Sequence, residues 1–214
     1  MCTGSEMAEY AATQGSFPRV TITWGAVCRA KHGQQVAGDV FVAAQAPAGG
    51  FITAVIDGLG GGIEAARAAT AAEQVIAGAP DLPLQDLLRR SHSALQGTRG
   101  AVIGLLRLDP HALRVSYVGV GNVGVHAYSR RPIKPISKNG ILGYRLPTLL
   151  EMHYVYDPGD LFVLYSDGVS SQFVHDTAID LAQLPDTLAN QILAGYGKQN
   201  DDATVVVVRT SLPS

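Results

Sequence analysis

The sequence predicts an α+β fold in which helices cover antiparallel sheets, and three observations carry that expectation. β-type segments come first as a block, two helical segments follow, and a long β block precedes a final helix and strand. Most of the β segments are separated by turn signals, not by crossover helices. The regular strand–helix alternation of a doubly wound parallel sheet is missing.

Residues 1–18 are small and polar and read as a flexible tail, which leaves 19–214 as a single domain. From Arg19, RVTITWGAV alternates apolar and polar side chains as a half-buried strand does. A polar loop around Lys31–Gln35 leads into VAGDVFVAAQA, a second strand with Asp39 inside it. Gly49-Gly50 turn the chain into FITAVIDGLGGG, whose apolar, β-branched run reads as a buried strand closing on Asp57. Glu64–Ala77 is alanine-rich and helical, with side chains small enough to pack closely on a sheet. Asp81 is placed to cap the next helix and Pro83 suits its first turn. In that helix Leu84, Leu87, Leu88, Ser91 and Leu95 share one face.

The second half returns to β. GAVIGLLRLD, LRVSYVGVG and VGVHAYS read as a meander of antiparallel strands. Residues 130–150, with prolines at 132, 135 and 147, are irregular. HYVYD and LFVLYSD, on either side of Pro158-Gly159, predict another hairpin. Residues 174–198 read as partly helical, and TVVVVRT closes the fold as a buried strand.

Composition narrows the function classes. A chain that is 47% hydrophobic and only 16% charged can build a substantial core, which argues against disorder. The net charge of −2 offers no electrostatic footprint for nucleic acid or an anionic membrane. No apolar run reaches the ~18 residues of a membrane span. The N-terminus lacks the basic and apolar regions of a signal peptide. The two cysteines, Cys2 and Cys28, form neither a metal motif nor a disulfide framework, so a reducing cytoplasm is expected.

The candidate chemistry lies in the carboxylates. Asp39 lies in a strand, Asp57 and Asp167 end strands, and Asp201-Asp202 open one, each against a strongly apolar β segment. Singly, each Asp-Gly is an ordinary turn dipeptide. Together, at one edge of a sandwich, such groups repel and call for cations between them. Oxygen donors without cysteine or paired histidine favour Mg²⁺ or Mn²⁺ over Zn²⁺, and more than three carboxylates suggest two ions. Gly58, lacking a Cβ, lets its carbonyl approach a ligand. Other chemistries fit worse. There is no G-x-S-x-G elbow, and the six histidines show no H-E-x-x-H or i,i+4 pair. Gly58–Ile63 ends in Ile63 where a dinucleotide fingerprint needs glycine, and Asp57 would repel a pyrophosphate.

Gly38-Asp39, Ile56-Asp57-Gly58, Ser166-Asp167-Gly168 and Asn200–Thr204, in this order, resemble the metal-dependent PPM (protein phosphatase 2C-like) serine/threonine phosphatases. The nearer likeness is to the bacterial SpoIIE/RsbU/RsbX branch, supported by Thr98–Ala101 and Gly119–Asn122. Small size and the lack of a sensor or anchor domain look most like the stand-alone RsbX type. The resemblance implies an αββα sandwich with a two-metal centre at one end. It implies Asp57 as the carboxylate bridging both ions, Gly58 as a carbonyl ligand, Asp39, Asp167 and Asp201 as further ligands, and Asp202 in support. Asp57, Asp39 and Asp167 are thereby the catalytic candidates. It further implies that water bridging ions ~3.5–4 Å apart is deprotonated and attacks phosphorus in line.

One departure stands out. Many relatives carry Gly-His-Gly where this chain has Gly60-Gly61-Gly62, so an imidazole that could protonate the leaving group is missing. The phosphate-binding residue is unassigned, with Arg29 and Lys31 in a plausible loop. The expected activity is phosphoserine/phosphothreonine hydrolysis, with phosphorylated STAS-domain proteins of a stressosome-like complex as substrates by resemblance. A catalytically silent module on the same fold and a small-molecule phosphohydrolase are the competing readings.

Overall fold

In a computed structural model the chain is described over residues 20–213, and the expected tail over 1–18 lies outside the described residues. Among the described residues nine strands form two antiparallel sheets. The four-stranded sheet runs β1 (Thr21–Arg29), β9 (Ala203–Ser211), β8 (Leu161–Tyr165), β6 (Gly124–Tyr128). The five-stranded sheet runs β2 (Asp39–Gln45), β3 (Phe51–Gly58), β4 (Ala101–Asp109), β5 (Arg114–Val120), β7 (Glu151–Val155). Helices α1 (Ile63–Ala77) and α2 (Leu84–Ala94) pack with one sheet, and α3 (Pro185–Tyr196) with the other.

Strand alternation sorts the core into layers. Along β3, Ile52, Ala54 and Ile56 face the alanines of α1 and the leucines of α2. Phe51 and Val55 face inward against Val206 and Val208 of β9 and Phe162 of β8. On the opposite face of β9, Val205 and Val207 meet Leu188 and Ile192 of α3. A strand buried on both faces reads as an unbroken apolar run, which is why TVVVV needs no alternation. The layers are therefore helix, sheet, sheet, helix, and the expected αββα sandwich is what forms. Gly25 permits the close docking of α3, since a Cβ there would strike the backbone of Pro185 and Asp186.

Four local expectations are corrected. Asp39 opens β2 instead of lying within it, because the three residues before it form no ladder. Asp81 does not cap α2; Pro83 holds the N-cap position, and Asp81 Oδ1 accepts the Ala48 N–H at 3.0 Å. The meander breaks after β5, because β6 crosses to the other sheet and pairs with β8. The β7–Pro158-Gly159–β8 unit is no hairpin either, since β7 pairs with β5 and β8 lies between β6 and β9. A tight turn has carried the chain from one layer to the other, and which partner a strand finds is decided by layer packing, to which local turn chemistry is blind. The apolar face of α2 is as expected: Leu84, Leu87, Leu88, Ser91 and Leu95 are all buried.

Candidate functional site

Register explains the centre of the site. Asp39 and Asp57 are direct partners across the β2–β3 ladder. Directly opposed residues of an antiparallel pair project to the same face, with Cβ atoms roughly 4.5–5.5 Å apart. That face is the inward one, since Asp57 follows Val55 by two residues. Two carboxylates thus sit side by side at the end of the inter-sheet layer, an arrangement that costs stability when both are charged.

Their electrostatics follow. Burial pushes Asp57 up to about 8, with further upward pressure from Asp39, Asp167, Asp201 and Asp202. Burial pushes Asp39 up to about 7; the Ser166 and Thr204 hydroxyls pull it down, while Asp202 and Asp167 push it up. These hydroxyls lie near the carboxyl without making a full hydrogen bond to its buried oxygen. Asp39 is only 4% exposed, and neither its Oδ2 nor Thr204 Oγ1 has a hydrogen-bond partner. A buried carboxylate oxygen without a donor is costly unless a cation meets it.

The other carboxylates come from the facing sheet. Asp167 lies two residues beyond β8, and Asn122 Nδ2 donates to its Oδ2 at 2.7 Å. Lys198 Nζ donates to the Asp167 carbonyl at 2.6 Å. Asp201 lies in the bend before β9 and accepts the Asp202 N–H at 3.0 Å. Asp57, Asp167 and Asp201 line one cleft of about 660 Å³. Asp202, its sequence neighbour, does something different. It is 4% exposed, and its two oxygens accept the backbone N–H groups of Lys31 and Gly38, both at 2.9 Å. It ties the start of β9 to the loop after β1 and to the entry of β2. Gly58 has no room for a side chain, because a Cβ would collide with the Ala65 carbonyl.

These groups suit a hard divalent cation: carboxylate oxygens predominate, two are held side by side, and one buried oxygen lacks a donor. Among the described residues no three acidic, histidine or cysteine side chains stand close enough to form a ready-made cage. Like charges resist that approach.

The sequence left other parts of the cleft unread. Asn122 carries a hydrogen bond to a candidate ligand, and the neighbouring Gly121 has φ +99°, a turn in which a Cβ would strike Val102. The Gly119–Asn122 string was the available signal. Asn139, Tyr144 and Arg145 line the same cleft from the irregular segment, where no periodicity marks them. Arg29 does not line it; its Nη2 donates to the Lys198 carbonyl at 2.6 Å. Lys31 packs its ammonium over Gly61, where a Cβ would collide with Nζ.

The family described as Stage II sporulation protein E (SpoIIE) matches residues 47–211. The chain belongs to the SpoIIE family. This is the branch of PPM phosphatases that the ordered aspartate motifs resemble. No curated protein matches the chain significantly. A structure solved in work on the bacterial stressosome, as a modular system adapted to control secondary messenger signalling, is 34% identical. It matches with a TM-score of 0.81 over 88% of this chain and 99% of that one. The SpoIIE-family fold recurs in RsbX in complex with magnesium, at 22% identity and TM-score 0.78 over 92% of this chain and 99% of RsbX. It recurs again in the Mycobacterium tuberculosis serine/threonine phosphatase PstP, at 17% identity and TM-score 0.71, over 90% and 99% of the two chains. Among the described residues no helix is long and apolar enough to cross a membrane.

Proposed function

We infer that this SpoIIE-family chain is an Mg²⁺- or Mn²⁺-dependent phosphoserine/phosphothreonine protein phosphatase of the RsbX type. The observation that carries the reading is the opposed pair Asp39–Asp57: a buried Asp39 oxygen has no donor, and Asp57 beside it lines a cleft that Asp167 and Asp201 also line. Asp39, Asp57, Asp167, Asp201 and the Gly58 carbonyl would hold two divalent ions. Bound there, such ions lower the pKa of water and offset charge on the phosphoryl oxygens.

The remaining roles belong to the chain itself. Asn122 fixes one oxygen of Asp167 and so orients the other. Asp202 fixes the loop carrying Lys31 and the entry to Asp39. The raised Asp39 and Asp57 carry protons near neutrality in the metal-free chain, so cation binding releases them and strengthens as pH rises. No imidazole lines the cleft among the described residues, so the proton for the serine leaving group comes from another source.

Its substrates on this reading are phosphorylated STAS-domain proteins of a stressosome-like complex in the cytoplasm; what supports the stressosome part is the 34% identity to a structure from work on the bacterial stressosome. The test is hydrolysis of 4-nitrophenyl phosphate and of a phosphorylated STAS protein against Mn²⁺ concentration, with chelator and Asp167→Asn as controls. Metal-dependent turnover lost in the variant is expected. Metal binding without turnover of either substrate would instead identify a silent module, and turnover of nucleotides in preference to the phosphoprotein a small-molecule phosphohydrolase.

A further inference from the structure

The carboxylate floor of the cleft is bordered by basic side chains that the site described above does not use. The cleft lies at the start of β4. On the β3 side its wall is Leu59-Gly60; on the β5 side it is the turn containing Asn139, Tyr144 and Arg145. Cations flank both sides. Arg99 Nη1 and Lys31 Nζ each lie so close over the glycine turn that a Cβ on Gly60 or Gly61 would collide with them. Arg145 is exposed and lines the cleft directly. None of these three side chains has a hydrogen-bond or ion-pair partner among the described residues. A chain of net charge −2 has therefore placed three uncommitted cations around one opening.

The turn that presents Arg145 is held firmly. Where β5 ends, Leu142 takes up pairing with Ala101, exchanging N–H···O bonds of 3.1 and 2.9 Å. Ile141 and Arg145 pair with each other across the turn, and the Gly143 N–H donates to His92 Nδ1 of α2 at 3.0 Å. Gly143 takes φ +94°, and a Cβ there would strike the Leu95 carbonyl. Tyr144, 69% exposed, stands beside Arg145. Fixed geometry lowers the ordering cost of binding, and an exposed aromatic next to an arginine is the composition of a binding surface.

We propose that this rim, Lys31 and Arg99 on one side and Tyr144-Arg145 on the other, docks an acidic polypeptide segment that carries the phosphoresidue. The proposal rests on the phosphatase reading and adds the chemistry of the substrate: aspartate or glutamate flanking the phosphoserine. Arg145 pairs with a carboxylate on one side of the phosphoresidue and Arg99 with one on the other, while Tyr144 covers the backbone between them.

The experiment uses the full chain in Mg²⁺ with labelled phosphoserine peptides of equal length whose flanks are acidic, neutral or basic. Fluorescence anisotropy gives binding, and phosphate release gives kcat/KM. The acidic peptide should bind roughly tenfold more tightly than the neutral one, as a few partly exposed charge pairs allow. The preference should shrink as ionic strength rises. Arg145→Glu and Arg99→Glu should each reduce or invert it, while Arg89→Glu, on α2 and paired with Asp86, should leave it intact. Equal binding and equal kcat/KM for all peptides, or an undiminished preference in both rim variants, overturns the docking surface and leaves the catalytic reading standing. Selective binding of the acidic peptide with no hydrolysis of any supports the docking surface and removes the catalytic reading.

Discussion

The two sheets contribute aspartates of opposite character to one cleft. Asp39 and Asp57, from the five-stranded sheet, are set against each other by strand register, and burial leaves one Asp39 oxygen without a donor. Asp167 and Asp201, beyond strand ends of the four-stranded sheet, are already supplied with donors, from Asn122 and from the Asp202 backbone. One wall stores an unresolved electrostatic conflict and the other is pre-oriented. A site with this division needs something positive to complete the first wall and has the second wall ready to receive it. Asp202 sharpens the contrast: one residue from Asp201, it spends both oxygens on backbone N–H groups and acts as a staple.

The strongest way to break the comparison is Asp57→Asn. Metal-dependent phosphate release should fall to background, while the metal-free variant stays folded and melts no lower than wild type, because a neutral amide takes the place of a carboxyl that burial and its acidic neighbours already keep from ionising. Calorimetry beside the activity assay reads both; full activity, or a large drop in Tm, would show that the pair is not the conflicted wall described here.

Asp202→Ala tests the staple. Two backbone donors lose a charged acceptor, which should cost roughly 2–4 kcal/mol in urea denaturation. A loss below about 1 kcal/mol would show that these two bonds do not staple the loop and the entry of β2.

The pH dependence of the metal-free chain sharpens the first wall. Asp39 and Asp57 keep their protons in the folded chain up to about 7 and about 8, whereas unfolded carboxylates release theirs near 3.8. Across that window the folded state binds more protons, so stability falls as pH rises. Divalent cation should therefore raise Tm more at pH 8 than at pH 6, with about 2.7 kcal/mol gained at a hundredfold excess over Kd. A Tm rise that shrank between pH 6 and pH 8 would contradict the assigned direction.

The smallest effect is expected at Asn122. Asn122→Ala frees one oxygen of Asp167 and should weaken Mn²⁺ affinity about tenfold, as loss of a supporting partner of a ligand does. Isothermal titration measures it, and an unchanged affinity would remove Asn122 from the site.

The elements themselves were legible in the sequence. Alternation in RVTITWGAV, the alanines of α1 and the apolar face of α2 are local properties, and each formed as its own residues dictate. The ordered Asp-Gly and Asp-Asp strings also marked the acidic set, because a charge abutting an apolar strand has few cheap explanations. Partner choice was not legible. VGVHAYS left the meander and LFVLYSD left its hairpin, since a turn fixes reversal but not which sheet the next strand joins. The same limit hid the exact partnership of Asp39 with Asp57, the different duties of Asp201 and Asp202, and the arrival of Arg145 from an irregular segment. The sequence by itself determined which strands and helices exist and that aspartates end several of them. Only the tertiary structure decided which of those carboxylates share a face, which are already paired and which cations surround them, because these depend on register and layer packing between residues far apart in the chain.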